Sequence, residues 1–70
     1  MALQSLTIVG KVKYPKSGYQ KLYASYPSNI GVSVAECRGS NIKDFDLISV
    51  GDVVEAVTYN GQSGPMFEMV

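Results

Sequence analysis

Turn-forming residues divide this chain into short segments, and the periodicity within those segments is that of strands. Pro15-Lys16-Ser17-Gly18, Pro27-Ser28-Asn29 and Asn60-Gly61-Gln62-Ser63-Gly64-Pro65 all combine residue types that reverse the backbone or end regular structure. Between them apolar side chains recur with period two, the repeat of a half-buried strand. From Leu6 to Tyr14, the set Leu6, Ile8, Gly10 and Val12 falls on one face and Thr7, Val9, Lys11 and Lys13 on the other. Tyr19 to Tyr26 alternates again, with Leu22 and Ala24 opposite Tyr19, Lys21 and Tyr23, so the first two strands read as a hairpin. A third strand, Ile30 to Cys37, has Ile30, Val32 and Val34 as its apolar face and a small outer face of Ser33, Ala35 and Cys37. The polar connection Arg38 to Asp46 holds at most a short helical turn. A β-branched run, Val53 to Tyr59, the Asn-Gly hairpin signal and Met66 to Val70 complete five strands.

Seventy residues form one domain, expected to span residues 1–70. A domain of this size buries only about 60% of the surface its unfolded chain exposes, and the usual substitutes for core are missing. The single cysteine, Cys37, excludes an internal disulfide, and without histidine or a second cysteine no structural zinc set is expected. Closing five short strands into a barrel leaves few open edges and fills one thin core from every strand. The fold expected is therefore all-β, a small five-stranded Greek-key barrel of the OB type, with an SH3-like barrel as the alternative that strand order would distinguish. The N-terminal residues lack the pattern of a signal peptide and no stretch approaches the ~20 apolar residues of a membrane span. A cytoplasmic protein without membrane contact is expected.

Charge is segregated along the chain. Between Gly10 and Tyr26 lie Lys11, Lys13, Lys16 and Lys21 with Tyr14, Tyr19, Tyr23 and Tyr26 and no acid, whereas all the acidic residues lie in the second half of a formally neutral protein. Lysines interleaved with aromatics suit single-stranded nucleic acid, whose bases stack on rings while its phosphates meet cations. The plainer reading assigns strand tyrosines to covering apolar edges and strand lysines to protecting edges from aggregation. Catalysis finds little support. There is no histidine to act as general base, Asp44, Asp46 and Asp52 sit where aspartate marks turns, and their spacing matches no calcium loop. Neither enzymatic activity, a cofactor, a metal nor a small-molecule substrate is expected.

The chain resembles the cold-shock domain family. Gly10-Lys11-Val12-Lys13-Tyr14 is similar to that family's opening strand, and Ser17-Gly18-Tyr19-Gln20-Lys21-Leu22 to its first RNA-binding motif. Phe45, Gly51-Asp52-Val53-Val54, Gly61, Gly64-Pro65 and Val70 fall where the family has Phe, Gly-x-x-Val, Gly, Gly-Pro and a late Val. S1-type domains share the Gly-x-x-Val feature and the barrel. The resemblance implies stacking by Tyr14 and Tyr19 and by Phe45 as a mobile lid, against the plainer role of Phe45 as a core plug. It maps the second RNA-binding motif onto Val32-Ser33-Val34-Ala35-Glu36, keeping two core valines and losing three stacking groups.

Two functions follow as expectations. In the first, the protein binds single-stranded RNA or DNA, with Tyr14, Tyr19, Tyr23 and Phe45 stacking bases and Lys11, Lys13, Lys16 and Lys21 meeting phosphates. Tyr26 and Tyr23 would compensate for the missing aromatics. In the second, the same face has turned to protein recognition, binding a protein partner or a second copy across the flat surface of Ser33, Ala35 and Cys37.

Overall fold

The computed structural model describes residues 3–62 and 64–70. Five strands, β1 (Gln4–Lys13), β2 (Gln20–Ser28), β3 (Gly31–Gly39), β4 (Val53–Gly61) and β5 (Gly64–Met69), close a barrel in the order β1-β2-β3-β5-β4. β1 completes it by pairing antiparallel with both β2 and β4, and a parallel contact joins β3 to β5 at Glu36 and Met66. This is the five-stranded OB-type barrel that the strand pattern predicts. Between β3 and β4 the chain makes only a single 3-10 turn, Phe45–Leu47, as the short polar connection requires.

The core is thin and drawn from every strand. Leu6 and Ile8 from β1, Leu22 and Ala24 from β2, Ala35 from β3, Ala56 from β4 and Phe67 from β5 are essentially inaccessible, and Phe45 and Ile48 from the connection cap them. Gln20 is the buried polar exception. Its Oε1 accepts the Ile42 N–H at 2.8 Å, which ties the connection to β2 and satisfies a group that would be costly to bury alone. Asp44 opens the 3-10 turn in the left-handed region, φ 58°, a conformation aspartate tolerates better than most residues. The Asp52 carboxylate accepts the Ser49 N–H at 2.9 Å. Both aspartates thus have turn-forming roles.

Two strand faces differ from the sequence pattern. In β1 the register with β2 slips between Ile8 and Gly10, so Val9 is an extra, unpaired residue. A bulge of this kind reverses the facing of everything beyond it. Leu6 and Ile8 point inward as expected, but Gly10 then pairs with Tyr23 and Val12 with Lys21 on the outer face, whereas Lys11 and Lys13 pair with the inward-facing Leu22 and Gln20. In β3 the expected faces are exchanged outright. Ala35 is fully buried opposite Ala24, and Cys37 packs against the core opposite Leu22. Ile30, Val32 and Val34 are 90%, 76% and 50% exposed, so the two valines mapped onto core positions of a cold-shock motif lie outside the core. The physical reason is space. With Leu22, Phe45 and Phe67 filling the interior, the cross-strand pair Ala24–Ala35 is all that this level of the barrel holds.

The last hairpin is also tighter than expected. Pairing runs on through Asn60↔Pro65 to Gly61↔Gly64, so Asn60-Gly61 belongs to the ladder and not to the turn. Ser63, part of the expected turn, lies outside the described residues.

Candidate nucleic-acid interface

The bulge at Val9 decides which groups share a surface. By turning Gly10 and Val12 of β1 and the following Tyr14 outward, it brings them onto the same face as Lys21 and Tyr23 of β2 and the preceding Tyr19. The hairpin loop is closed by a hydrogen bond from the Tyr14 N–H to the Tyr19 carbonyl at 2.8 Å, and Gly18 supplies the left-handed residue, φ 73°, that its reversal needs. The Tyr14 and Tyr19 rings consequently lie side by side, their centroids 6.4 Å apart and their planes 25° from parallel. The Lys21 ammonium stands 5.7 Å from the Tyr14 ring centroid, within cation–π range. Tyr14, foremost, and then Tyr23 and Glu36 hold the Lys21 pKa above the ordinary lysine value. Tyr23 lies against Gly10, where a Cβ would come within 3.0 Å of its ring.

Tyr14, Tyr19, Lys21 and Tyr23 therefore form one continuous patch. β3 extends it with residues that sequence reasoning did not select. Arg38 pairs with Lys21, Glu36 with Tyr23, and Val34 with Ser25. Arg38 and Glu36 are bridged at 3.1 Å, which leaves the acid already matched by a cation of its own strand. Arg38 reads in the sequence as the start of the polar connection and Val34 as core, which hides the parity that Arg38 shares with Val34 and Glu36 once β3 runs on to Gly39.

The remaining expected residues separate from this patch. Lys11 is half-buried at the barrel end, its ammonium donating to the Ile48 carbonyl at 2.7 Å and lying 4.7 Å from the Phe45 ring centroid. Phe45 is only 4% exposed and so fills the core beneath Lys11, offering no open ring face for a base. Lys13 is exposed but faces the side of Lys11, and Lys16 is exposed in the hairpin loop. Tyr26 packs against the core. Lys11 and Lys13, expected to meet phosphates together with Lys21, thus do not share its face, and that expectation is corrected. Ser33, Ala35 and Cys37, expected to form a flat outer surface, are corrected likewise, since they share the inward parity of β3.

Elsewhere, an open depression of about 240 Å³ lies between the end of β3, the following loop and β5, bordered by Cys37, Arg38, Ile42, Glu68 and Met69. Burial, and then Glu68 and Glu36, push the Cys37 thiol up from its ordinary pKa, so the thiolate needed for nucleophilic chemistry is disfavoured. Among the described residues no cluster of His, Cys, Asp or Glu is arranged to hold a metal ion, and no helix is long and apolar enough to cross a membrane. No protein family, curated protein or solved structure matches the chain.

Proposed function

We propose that this protein binds single-stranded nucleic acid without catalysing a reaction, as cold-shock proteins do, through the outer face of the β1–β2–β3 sheet. Tyr14, Tyr19 and Tyr23 stack bases, and Lys21, Arg38 and the loop Lys16 meet phosphates. The observation that carries this reading is the adjacency of Tyr14, Tyr19 and Lys21 on one open surface. Rings offer sequence-tolerant platforms worth about 1–3 kcal/mol per base, and the neighbouring cation adds a backbone contact. Lys11, Lys13 and Phe45 fall outside the proposed contact surface, and Arg38 enters it.

Few cations remain on the face, so electrostatics contributes modestly. With about two or three phosphates neutralised, log K should fall with log salt at a slope of roughly −1.5 to −2. Titration of tyrosine fluorescence with oligo(dT) and oligo(U) at two salt concentrations tests this directly. Quenching with a shallow salt slope is expected, and the absence of binding at low salt would overturn the reading. Protein recognition by the same face is the second reading, and the exposure of Val12 and Val34 beside the tyrosines favours it. Binding of a dye-labelled oligonucleotide, read by fluorescence anisotropy, that is lost on changing Tyr19 and Tyr23 to Ala separates the two.

A further inference from the structure

β2 and β3 outrun the rest of the barrel. β1 leaves β2 after the pair Thr7↔Ser25, and among the described residues β5 meets β3 only at Glu36. Beyond those points residues 26–28 and 31–35 form a two-stranded extension with an outer edge on each side. The two edges are not alike. On β2, Pro27 has no N–H to offer, a common protection of an open edge. On β3, the stretch from Asn29 to Ala35 contains no charge and no proline.

Proline also fixes which backbone groups face out. A hydrogen-bonded antiparallel pair needs an N–H from both residues, so Pro27↔Val32 is a non-hydrogen-bonded pair, and by alternation Val34 and Glu36 occupy the same kind of position. Their N–H and C=O groups point away from β2. Glu36 uses that side to meet Met66; among the described residues no strand pairs with Val32 or Val34 there. Their side chains are exposed as well, at 76% and 50%.

We propose that this edge is occupied by β3 of a second copy, antiparallel, about a twofold axis at Ser33. Val32 then stands opposite the partner's Val34 and the partner's Val32 opposite Val34. Each such pair exchanges both N–H···O=C bonds, and the valines of both copies form one apolar cluster on the outer face. The sequence Gly31-Val32-Ser33-Val34-Ala35 reads nearly the same in either direction, so in this arrangement each copy presents the surface that the other needs. An uncharged segment on a formally neutral chain raises no electrostatic barrier to a second copy and provides no charge to select a foreign strand. The contact is short, well below the ~1,200 Å² of a standard interface, so dimerisation is weak and concentration-dependent. This assignment does not depend on nucleic-acid binding.

Sedimentation equilibrium from micromolar to millimolar protein is the test. The expected result is a rise in average mass from one chain toward two. Val32→Lys combined with Val34→Lys places like charges opposite each other and should hold the protein monomeric throughout, with an unchanged circular dichroism spectrum; Val34→Lys alone serves if the double variant does not fold. Ser33→Cys in a Cys37→Ser background should give a disulfide-linked dimer on mild oxidation, because the twofold register brings the two Cα atoms about 4.5 Å apart. A wild-type protein that stays monomeric at millimolar concentration, including one that takes up a foreign β-strand peptide instead, overturns the proposal. So does a dimer that survives the lysine substitutions or fails to cross-link through position 33.

Discussion

Lys11 lies with its ammonium 4.7 Å from the centroid of the buried Phe45 ring while donating to the Ile48 carbonyl at 2.7 Å, and this makes it a clamp on the barrel end. The cation holds the 3-10 turn and its following residue against β1. Lys11→Met keeps the apolar stem and removes both polar interactions, which together contribute about 1–2 kcal/mol. A lowered midpoint of urea unfolding by that amount is expected, with oligonucleotide affinity unchanged within about twofold. A large loss of affinity with unchanged stability would return Lys11 to the contact surface.

The tyrosines should divide by location. Tyr19→Ala and Tyr23→Ala remove platforms on the outer face, each expected to weaken oligo(dT) binding by about 1–3 kcal/mol, with little effect on unfolding. Tyr26→Ala instead removes a ring packed against the core and is expected to destabilise by roughly 2–4 kcal/mol. Binding and unfolding titrations on the same three variants check this division.

Gly10 supports Tyr23 through a contact rather than through unusual backbone geometry. A Cβ there would approach the Tyr23 ring to 3.0 Å, so the half-exposed ring must tilt outward by a few tenths of an ångström. Gly10→Ala also lowers the entropy of the unfolded chain, a gain of about 0.4–1 kcal/mol that offsets the crowding. A stability change below about 1 kcal/mol with a several-fold weaker oligonucleotide affinity is expected from thermal unfolding and fluorescence titration.

The strand count and the barrel were legible because turn chemistry and period-two alternation are local properties, but the turn limits were not: Pro27-Ser28, expected to end the second strand, and Asn60-Gly61 both belong to ladders. Side-chain facing was legible only where one parity is clearly bulky and the other polar, as in β2. In β3 both parities are apolar, Val32 and Val34 against Ala35 and Cys37, and the choice depends on volume left by Leu22, Phe45 and Phe67 from other parts of the chain. The bulge at Val9 has no marker in its own residues, although Gly10 after it permits the close approach of Tyr23. These two facings decide the candidate site. The bulge removes Lys11 and Lys13 and brings in Tyr14, while the exchanged faces of β3 bring in Arg38.

The inverted face of β3 predicts an asymmetry between adjacent positions. Ala35 is inaccessible and opposed by Ala24, so Ala35→Leu adds volume where none is available and is expected to cost about 1–3 kcal/mol or more. Val34 is half exposed, and Val34→Thr is expected to change stability by less than about 0.5 kcal/mol. Chemical denaturation of the two variants at low protein concentration reads the difference. The opposite ranking would restore Val34 to the core.

Cys37 gives a pH signature of the fold. Burial disfavours its thiolate first, and Glu68 and Glu36 add repulsion, so its folded pKa exceeds that of the unfolded chain. The neutral thiol is the form the fold favours. Its contribution to stability is fully present below the ordinary thiol pKa, and it is lost as pH rises through the higher folded value, because the unfolded chain ionises first. Melting temperatures should therefore be flat near neutrality and fall in the alkaline range, and part of that fall should vanish in Cys37→Ala. The same burial predicts slow alkylation by iodoacetamide in the folded protein and rapid alkylation after unfolding in urea. Equal alkylation rates in the two states, or an identical alkaline decline in wild type and Cys37→Ala, would place Cys37 on the outer face of β3.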